Sequence, residues 1–474
     1  MSHRYASLSR RLIGVVLVVV LSAACSDRLP TAISLQVPVA GGTSTPSLPH
    51  ECVFQICRGT TGDSEYRILM PARWNGTLLL FAPGFIKVFS TPRTGRPIAL
   101  GPAPPTLTQW MLDRGYGLAG ATYAWGGWSV ASTVTAAEVA YAEVTARFGP
   151  PRRVYAWGES MGGLASVMLA ERHPDWVTGA ASACGVLGGT ARFFDLALDA
   201  AYAMRTLMVP ALRISGFTSY KQAAAAFGLA RRTVRQATTG TLAQRAQLLL
   251  VASLIGAPSI SGQWLGQDRA ARVAAAARAI DSALSFGTYA RWDLEREHGG
   301  PFSSNVGVDY AARLDGAQRA EVDAVAPGTV LAALRALAAG TRVSANPAAR
   351  ARVTSQLGPT GLIRRPVVTL HTADDPAVPV EHEGVYAAEV AGNGAAGLLL
   401  PLVTVPPLSW SGQRPPYGAG HCRFTEEELA GMLTVLDRWV GTGVRPDRET
   451  ILAAFGSDTG LDLGYRLPPW PGSR

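Results

Sequence analysis

The spacing of apolar positions divides the chain into three parts. Up to residue 190, short apolar runs rich in β-formers alternate with longer stretches of helical period. The runs predict strands over 66–71 and 77–82, joined through the turn residues Trp74, Asn75 and Gly76, then strands over 116–121, 153–157 and 178–182. Between them the pattern predicts helices over 107–114, closed by Gly115, over 136–148, ending before Gly149, Pro150 and Pro151, and over 164–172. From 191 to 344 the strand-like runs stop, and Ala, Leu, Arg and Gln recur with helical period, as over 271–283 and 331–339. After 345 the alternation returns: a strand ends ahead of Asp374 and Asp375, and another spans 398–405. The last long helix starts at Thr425, a suitable N-cap followed by Glu426, Glu427 and Glu428. Strands alternating with helices predict an α/β protein with a mostly parallel twisted sheet flanked by helices, interrupted by a helical block.

Length and composition fit that picture. With 474 residues, 48% of them hydrophobic, the chain can bury a large core. Its formal charge of +9 includes three N-terminal arginines, and the remaining basic residues are scattered in short groups such as Arg231-Arg232. That pattern excludes a nucleic-acid stripe and leaves only a mild preference for anionic surfaces. The run 248–255 is too short for a membrane span and reads as core or as a substrate-facing surface of the helical block. No phosphate loop, repeat or metal-ligand cluster is visible, so no cofactor and no metal are expected.

The N-terminus predicts export. Arg4, Arg10 and Arg11 precede an apolar run over 12–21, followed by Ser22, Ala23, Ala24 and Cys25. Leu21-Ser22-Ala23-Ala24-Cys25 resembles a bacterial lipobox, which makes residues 1–24 a lipoprotein-type signal peptide and Cys25 the lipidated first residue of the mature chain. Membrane attachment then runs through Cys25 at the cell envelope. Ser22 and Ala24 also satisfy plain cleavage, with a freely secreted product. Residues 25–60 read as a tether and N-terminal segment, rich in Pro, Ser, Thr and Gly over 26–50.

The candidate chemistry starts at Gly158-Glu159-Ser160-Met161-Gly162-Gly163, between the strand over 153–157 and the following helix. Strand, G-x-S-x-G and helix are the context of a nucleophile elbow, in which a strained turn exposes the serine and side chains two residues either side clash. In a glycine-rich chain the motif also arises by chance. A serine hydroxyl needs a base and a group to orient that base. His421, in Gly420-His421-Cys422 between the last strand and last helix, occupies the expected loop. His3 lies in the leader, His50 ahead of the first strand, His173 at a helix end, His298 in the helical block, and His371 at the end of an apolar strand. For the orienting acid, the D-x-x-V-P spacing from Asp375 to Pro379 selects Asp375, with Asp374 as neighbour and alternative; both also suit a turn.

These residues resemble the α/β-hydrolase superfamily, in particular secreted bacterial serine esterases with an Arg73-Trp74-Asn75-Gly76 strand lead-in, a Gly-His-Cys loop and a helical cap. The resemblance covers about 63–190 and 345–440. It implies a catalytic domain over 61–190 and 345–474, and a helical cap insertion over 191–344 between strand six and the acid strand. It also implies a Ser160–Asp375–His421 triad acting on a small-molecule ester substrate. Such hydrolases carry His-Gly after their third strand; here Pro83-Gly84-Phe85 stands in its place. Pro83 has no N–H, so the oxyanion hole is assigned to the backbone N–H groups of Met161 and Phe85.

Without Cys25, four cysteines remain, an even number for an oxidising compartment. Cys52 and Cys57 can close a small loop. Cys184 follows the strand over 178–182 and Cys422 adjoins His421, so a Cys184–Cys422 bridge would pin the His loop; free buried thiols are the alternative, and zinc lacks a C-x-x-C pair. Ester hydrolysis is the expectation. An amidase or exopeptidase would share the triad, an acyltransferase would exclude water, and a non-catalytic relative would normally lose a triad member. The aromatics of the helical block (Phe193, Phe194, Tyr202, Phe217, Tyr220, Phe227, Trp264 and Trp292) point to an apolar or aromatic substrate, or to packing.

Overall fold

The computed structural model describes residues 50–53, 56–61, 64–86, 103–122, 127–257, 268–407, 418–456 and 460–471. Residues 1–24, read from the sequence as a signal peptide, and Cys25 and Trp264 fall outside them.

Among the described residues, nine strands form one sheet. In chain order they are β1 (His50–Val53), β2 (Ile56–Thr61), β3 (Ser64–Leu69), β4 (Thr77–Ala82), β5 (Gly117–Ala121), β6 (Arg153–Glu159), β7 (Gly179–Ala183), β8 (Val367–Thr372) and β9 (Leu399–Thr404). Their spatial order is β1-β2-β3-β5-β4-β6-β7-β8-β9. β1, β2, β3 and β5 pair antiparallel, and every pair from β5 onward to β9 is parallel. The expected mostly parallel sheet flanked by helices is present.

The helices are α1 (Pro105–Asp113), α2 (Val130–Phe148), α3 (Met161–Arg172), α4 (Gly189–Leu207), α5 (Tyr220–Thr238), α6 (Leu242–Leu254), α7 (Arg269–Ser285), α8 (Arg291–His298), α9 (Gly316–Val325), α10 (Thr329–Ala339), α11 (Pro347–Gln356), α12 (Glu381–Gly392), α13 (Glu426–Thr442) and α14 (Arg448–Phe455). Every residue of β4, β5, β7 and β8 is buried, as a parallel sheet covered on both faces requires. Alternate side chains serve opposite faces. Leu78 and Leu80 of β4 join the core made with α2, α3 and α12, while Leu79 and Phe81 join the one made with α1, α13 and α14. Thr425 and Glu428 close a reciprocal capping box at α13, so the polar signal read from the sequence is the one that starts the helix.

One segment differs from expectation. Residues 50–53 and 56–60, within the 25–60 stretch assigned to a tether and N-terminal segment, pair as the antiparallel β1–β2 hairpin, in which Cys52 lies directly across from Cys57. The pair therefore sits in a strand ladder, not in a loop before the sheet, and Cys57 is disulfide-bonded. The hairpin adds two strands ahead of the five expected before the helical block, so the strand that precedes the block is β7 and not a sixth strand.

Between β7 and β8 the described chain is helical. The first turns of α4 (Phe193, Phe194) and α11 (Ala349, Val353) belong to the sheet's core. A separate apolar core, from Leu198 to Leu337, lies within the insertion. The apolar run of α6 is buried there, and among the described residues no single helix is long and apolar enough to cross a membrane.

Candidate active site

β6 runs into α3 through a single residue, Ser160, with φ 58° and ψ −123°. The glycines around it answer to close approach. A Cβ on Gly158 would lie 2.3 Å from the carbonyl oxygen of Ala82, and one on Gly162 would lie 2.0 Å from the same atom. Strand β4 therefore passes so close to the elbow that only glycine fits at either position. The Ser160 N–H donates to the Ala183 carbonyl at 2.9 Å, which ties the turn to β7.

Three elements bring three side chains together. Ser160 Oγ lies 2.8 Å from His421 Nε2, and His421 Nδ1 lies 2.8 Å from Asp375 Oδ2. A carboxylate only accepts, so Nδ1 carries the proton and Nε2 of the neutral ring is left to accept from the serine hydroxyl. Asp375 Oδ1 accepts the backbone N–H groups of Ala377 and Val378, each at 2.9 Å. The Asp375 side chain is fully buried, whereas that of His421 is 30% exposed. Burial alone would raise the Asp375 carboxyl, but His421, His371 and the amide donors outweigh it and hold it below its ordinary value. Asp374 instead makes a backbone bridge to Ala419, two residues before His421. Glu159, beside the serine, has its carboxyl pushed up by burial, against the opposing influence of His421.

The region assigned to the oxyanion hole lies beside the same serine. Met161 is the first residue of α3, so its N–H is among those with no partner within the helix. A Cβ on Gly84 would lie 3.7 Å from the Ser160 Cβ, which puts the Pro83–Gly84–Phe85 segment against the elbow. Phe85 packs on Trp128 and on Phe286, with ring centroids 6.1 and 5.1 Å apart. Trp128 stacks on Phe193 at 4.8 Å. Phe193, Phe194 and Tyr202 are buried packing residues, and Phe217 is buried too; Tyr220, Phe227 and Trp292 are less buried and gather with Tyr289.

Cys184 and Cys422 are disulfide-bonded, with Cα atoms 5.3 Å apart and a sequence separation of 238. Cys422 Sγ lies 3.5 Å from His421 Nε2. Cys184, His421 and Cys422 are also the described group whose donor atoms gather closely enough for a cation, all within 4.8 Å. The disulfide occupies both sulfurs, so neither is the thiolate that a metal needs. Among the described residues only Ser160, Cys184 and Cys422 are non-glycine residues with positive φ, at 58°, 45° and 51°. All three meet here, and such conformations cost about 1–3 kcal/mol each and persist only where the surroundings over-determine them.

Sequence reasoning missed the layer beneath Asp375. His371 of β8 is fully buried, with Nδ1 3.2 Å from Glu383 Oε1 and Nε2 2.9 Å from the Val378 carbonyl. Glu383 also accepts the Thr369 hydroxyl at 2.6 Å. His382, which no motif marked, accepts the Gly188 N–H through Nδ1, and burial pushes its ring down to about 3. The available signal was the alternation of Thr369 and His371 with apolar residues in β8, ahead of its terminal Thr372.

The sheet order, the parallel run from β5 to β9 and the strand–elbow–helix unit define an α/β-hydrolase fold. No protein-family model and no curated protein sequence matches the chain. Among solved structures it is similar to an esterase from Aspergillus oryzae, at 12% identity over 82% of this chain and 80% of that one, with a TM-score of 0.37. It is also similar to feruloyl esterase B from Aspergillus oryzae (15% identity, 83% and 82%, TM-score 0.38) and to Candida antarctica lipase A (12%, 84% and 79%, 0.35). Likeness at these identities concerns the fold alone, and the fold assignment rests on the sheet topology.

Proposed function

We propose that this protein is a serine hydrolase that cleaves carboxylic esters through an acyl-enzyme. The observation that carries the reading is the unbroken hydrogen-bonded relay from Ser160 Oγ through His421 to Asp375. Ser160 attacks the acyl carbon while His421 Nε2 takes its proton, and Asp375 holds the tautomer and stabilises the imidazolium. The tetrahedral oxyanion is met by the N–H groups of Met161 and Phe85, close to the positive end of α3. His421 then protonates the leaving alcohol, and the same ring activates water to release the acid. The less buried aromatics of the helical insertion, with the Phe85–Trp128–Phe286 cluster behind the oxyanion loop, support an apolar or aromatic ester as substrate. We further propose export, with the chain anchored through lipidated Cys25. The disulfide beside the site is in keeping with an oxidising compartment.

The test is activity-based labelling joined to a substrate panel. A fluorophosphonate should label Ser160, and Ser160→Ala should lose labelling together with turnover, by on the order of 10⁶-fold in kcat for a nucleophile acting as one unit with its base. Aryl esters of graded acyl length should be cleaved far faster than the matching anilides. Undiminished labelling at another serine, or anilides cleaved as fast as esters, overturns the reading.

A further inference from the structure

We propose that His371 is a buried imidazolium, held by Glu383, that positions Asp375 for its partner ring. The geometry leaves little freedom. The Val378 carbonyl oxygen cannot donate, so His371 Nε2, 2.9 Å away, must carry a proton. Nδ1 faces Glu383 Oε1 at 3.2 Å, while Glu383 Oε2 is already taken by the Thr369 hydroxyl. Two protonation states satisfy these contacts: an imidazolium beside a carboxylate, or a neutral ring beside a protonated Glu383. The nearby Asp375 decides between them, because its Oδ2 lies 3.8 Å from His371 Nε2 and favours the cation. Burial alone would lower the His371 ring; the two carboxylates outweigh it and raise the ring above its ordinary value.

The other ionisable groups around the ring lie on α12. His382 is neutral, and burial has pushed the Glu381 carboxyl up to about 7, so that at neutral pH it is only partly charged. His421 faces Asp375 from the far side. Asp375 Oδ2 thus sits between two histidine rings, at 2.8 Å from one and 3.8 Å from the other. Val378 links the two layers: its N–H donates to Asp375 Oδ1 and its carbonyl accepts from His371. His371 therefore braces the turn that aims the carboxylate, and its charge keeps that carboxylate ionised. The positioning role rests on the hydrolase reading; the charge state of His371 does not.

The two are tested separately. In full-length protein labelled with ¹⁵N-histidine, His371 should show two ring N–H signals at pH 7.5, and the near-isosteric Glu383→Gln should reduce them to one. A single ring N–H on His371 in the unaltered protein overturns the proposal, whether or not Ser160 proves to be the nucleophile. In the kinetic arm, His371→Gln keeps a donor to Val378 but removes the charge. It should lower kcat about tenfold with KM little changed, and move the acid limb of kcat/KM upward, as loss of a nearby cation makes Asp375 easier to protonate. Glu383→Gln should shift the limb in the same direction. Folded variants with an unshifted acid limb overturn the positioning role.

Discussion

At the scale of single residues, the site turns on which oxygen faces which nitrogen. Asp374 and Asp375 are adjacent in sequence and both fully or almost fully buried, yet only Asp375 reaches the His421 ring. Asp375→Asn should keep the shape but present an amide N–H or a weaker acceptor to Nδ1, with a loss of about 10⁴-fold in kcat, the cost of the wrong tautomer in a triad. Asp374→Asn, assayed alongside with circular dichroism as the folding control, should retain most of its activity. A larger loss at Asp374 would move the acid role to that residue. The elbow residues carry a similar contrast. Gly158 and Gly162 are dictated by one carbonyl oxygen, that of Ala82, while Ser160 takes a positive φ that its side chain does not favour.

At the scale of elements, the His loop is held between β9 and α13 by two different devices. The capping box at Thr425 sets where α13 begins. The Cys184–Cys422 disulfide ties the loop to the end of β7. Closing a chain segment of 238 residues contributes about 2–5 kcal/mol by restricting the unfolded chain. Cys184→Ala should therefore melt several degrees lower. It should also lose activity out of proportion to stability, because a misplacement of about 1 Å at the base can cost roughly a hundredfold in rate. Reductant added to that variant should do little further harm, whereas the unaltered protein should respond to it. Activity in Cys184→Ala equal to that of the unaltered protein would show that the loop needs no tether. The capping box and the elbow were legible in the sequence because each is set by contacts within a few residues. The β1–β2 hairpin was not, because a four-residue strand next to a Pro/Ser/Thr-rich stretch has too few apolar positions to display a period.

At the scale of the whole molecule, buried ionisable groups couple the site to stability. Asp375 is held below its ordinary value of 3.8 in the folded state, so its stabilising contribution is present above pH 3.8 and fades as the pH falls through the lower folded value. Urea unfolding of the unaltered protein and Asp375→Asn should show a constant difference above about pH 5 that narrows below pH 4. A difference that widens on acidification would mean the carboxyl is not stabilised in its ionised form. The proposed export through residues 1–24 makes a separate prediction for the molecule in its cell. Metabolic labelling with a radioactive fatty acid should mark the protein, and Cys25→Ser should abolish both the label and membrane attachment. An unlabelled product in the medium would instead favour plain cleavage after Ala24.

Much of the architecture was determined by the sequence alone. Strand and helix periods reflect which positions must be buried, so the alternation around the elbow and the start of α13 could be read directly, as could the glycines flanking Ser160, which answer to local steric crowding. His421 followed from the loop it occupies. The tertiary structure alone decided how these residues meet. Ser160 and His421 are 261 residues apart and Asp375 and His421 are 46 apart, and no local pattern encodes a 2.8 Å approach over such separations. The D-x-x-V-P spacing and the place of Cys184 at a strand end suggest Asp375 and the Cys184–Cys422 bridge, but the contacts themselves, like the Glu383 carboxylate set against His371, depend on where the sheet brings strand ends together. An apolar-looking strand with one histidine reads as core until its neighbours are known, because the charge of a buried ring is determined by the groups packed around it.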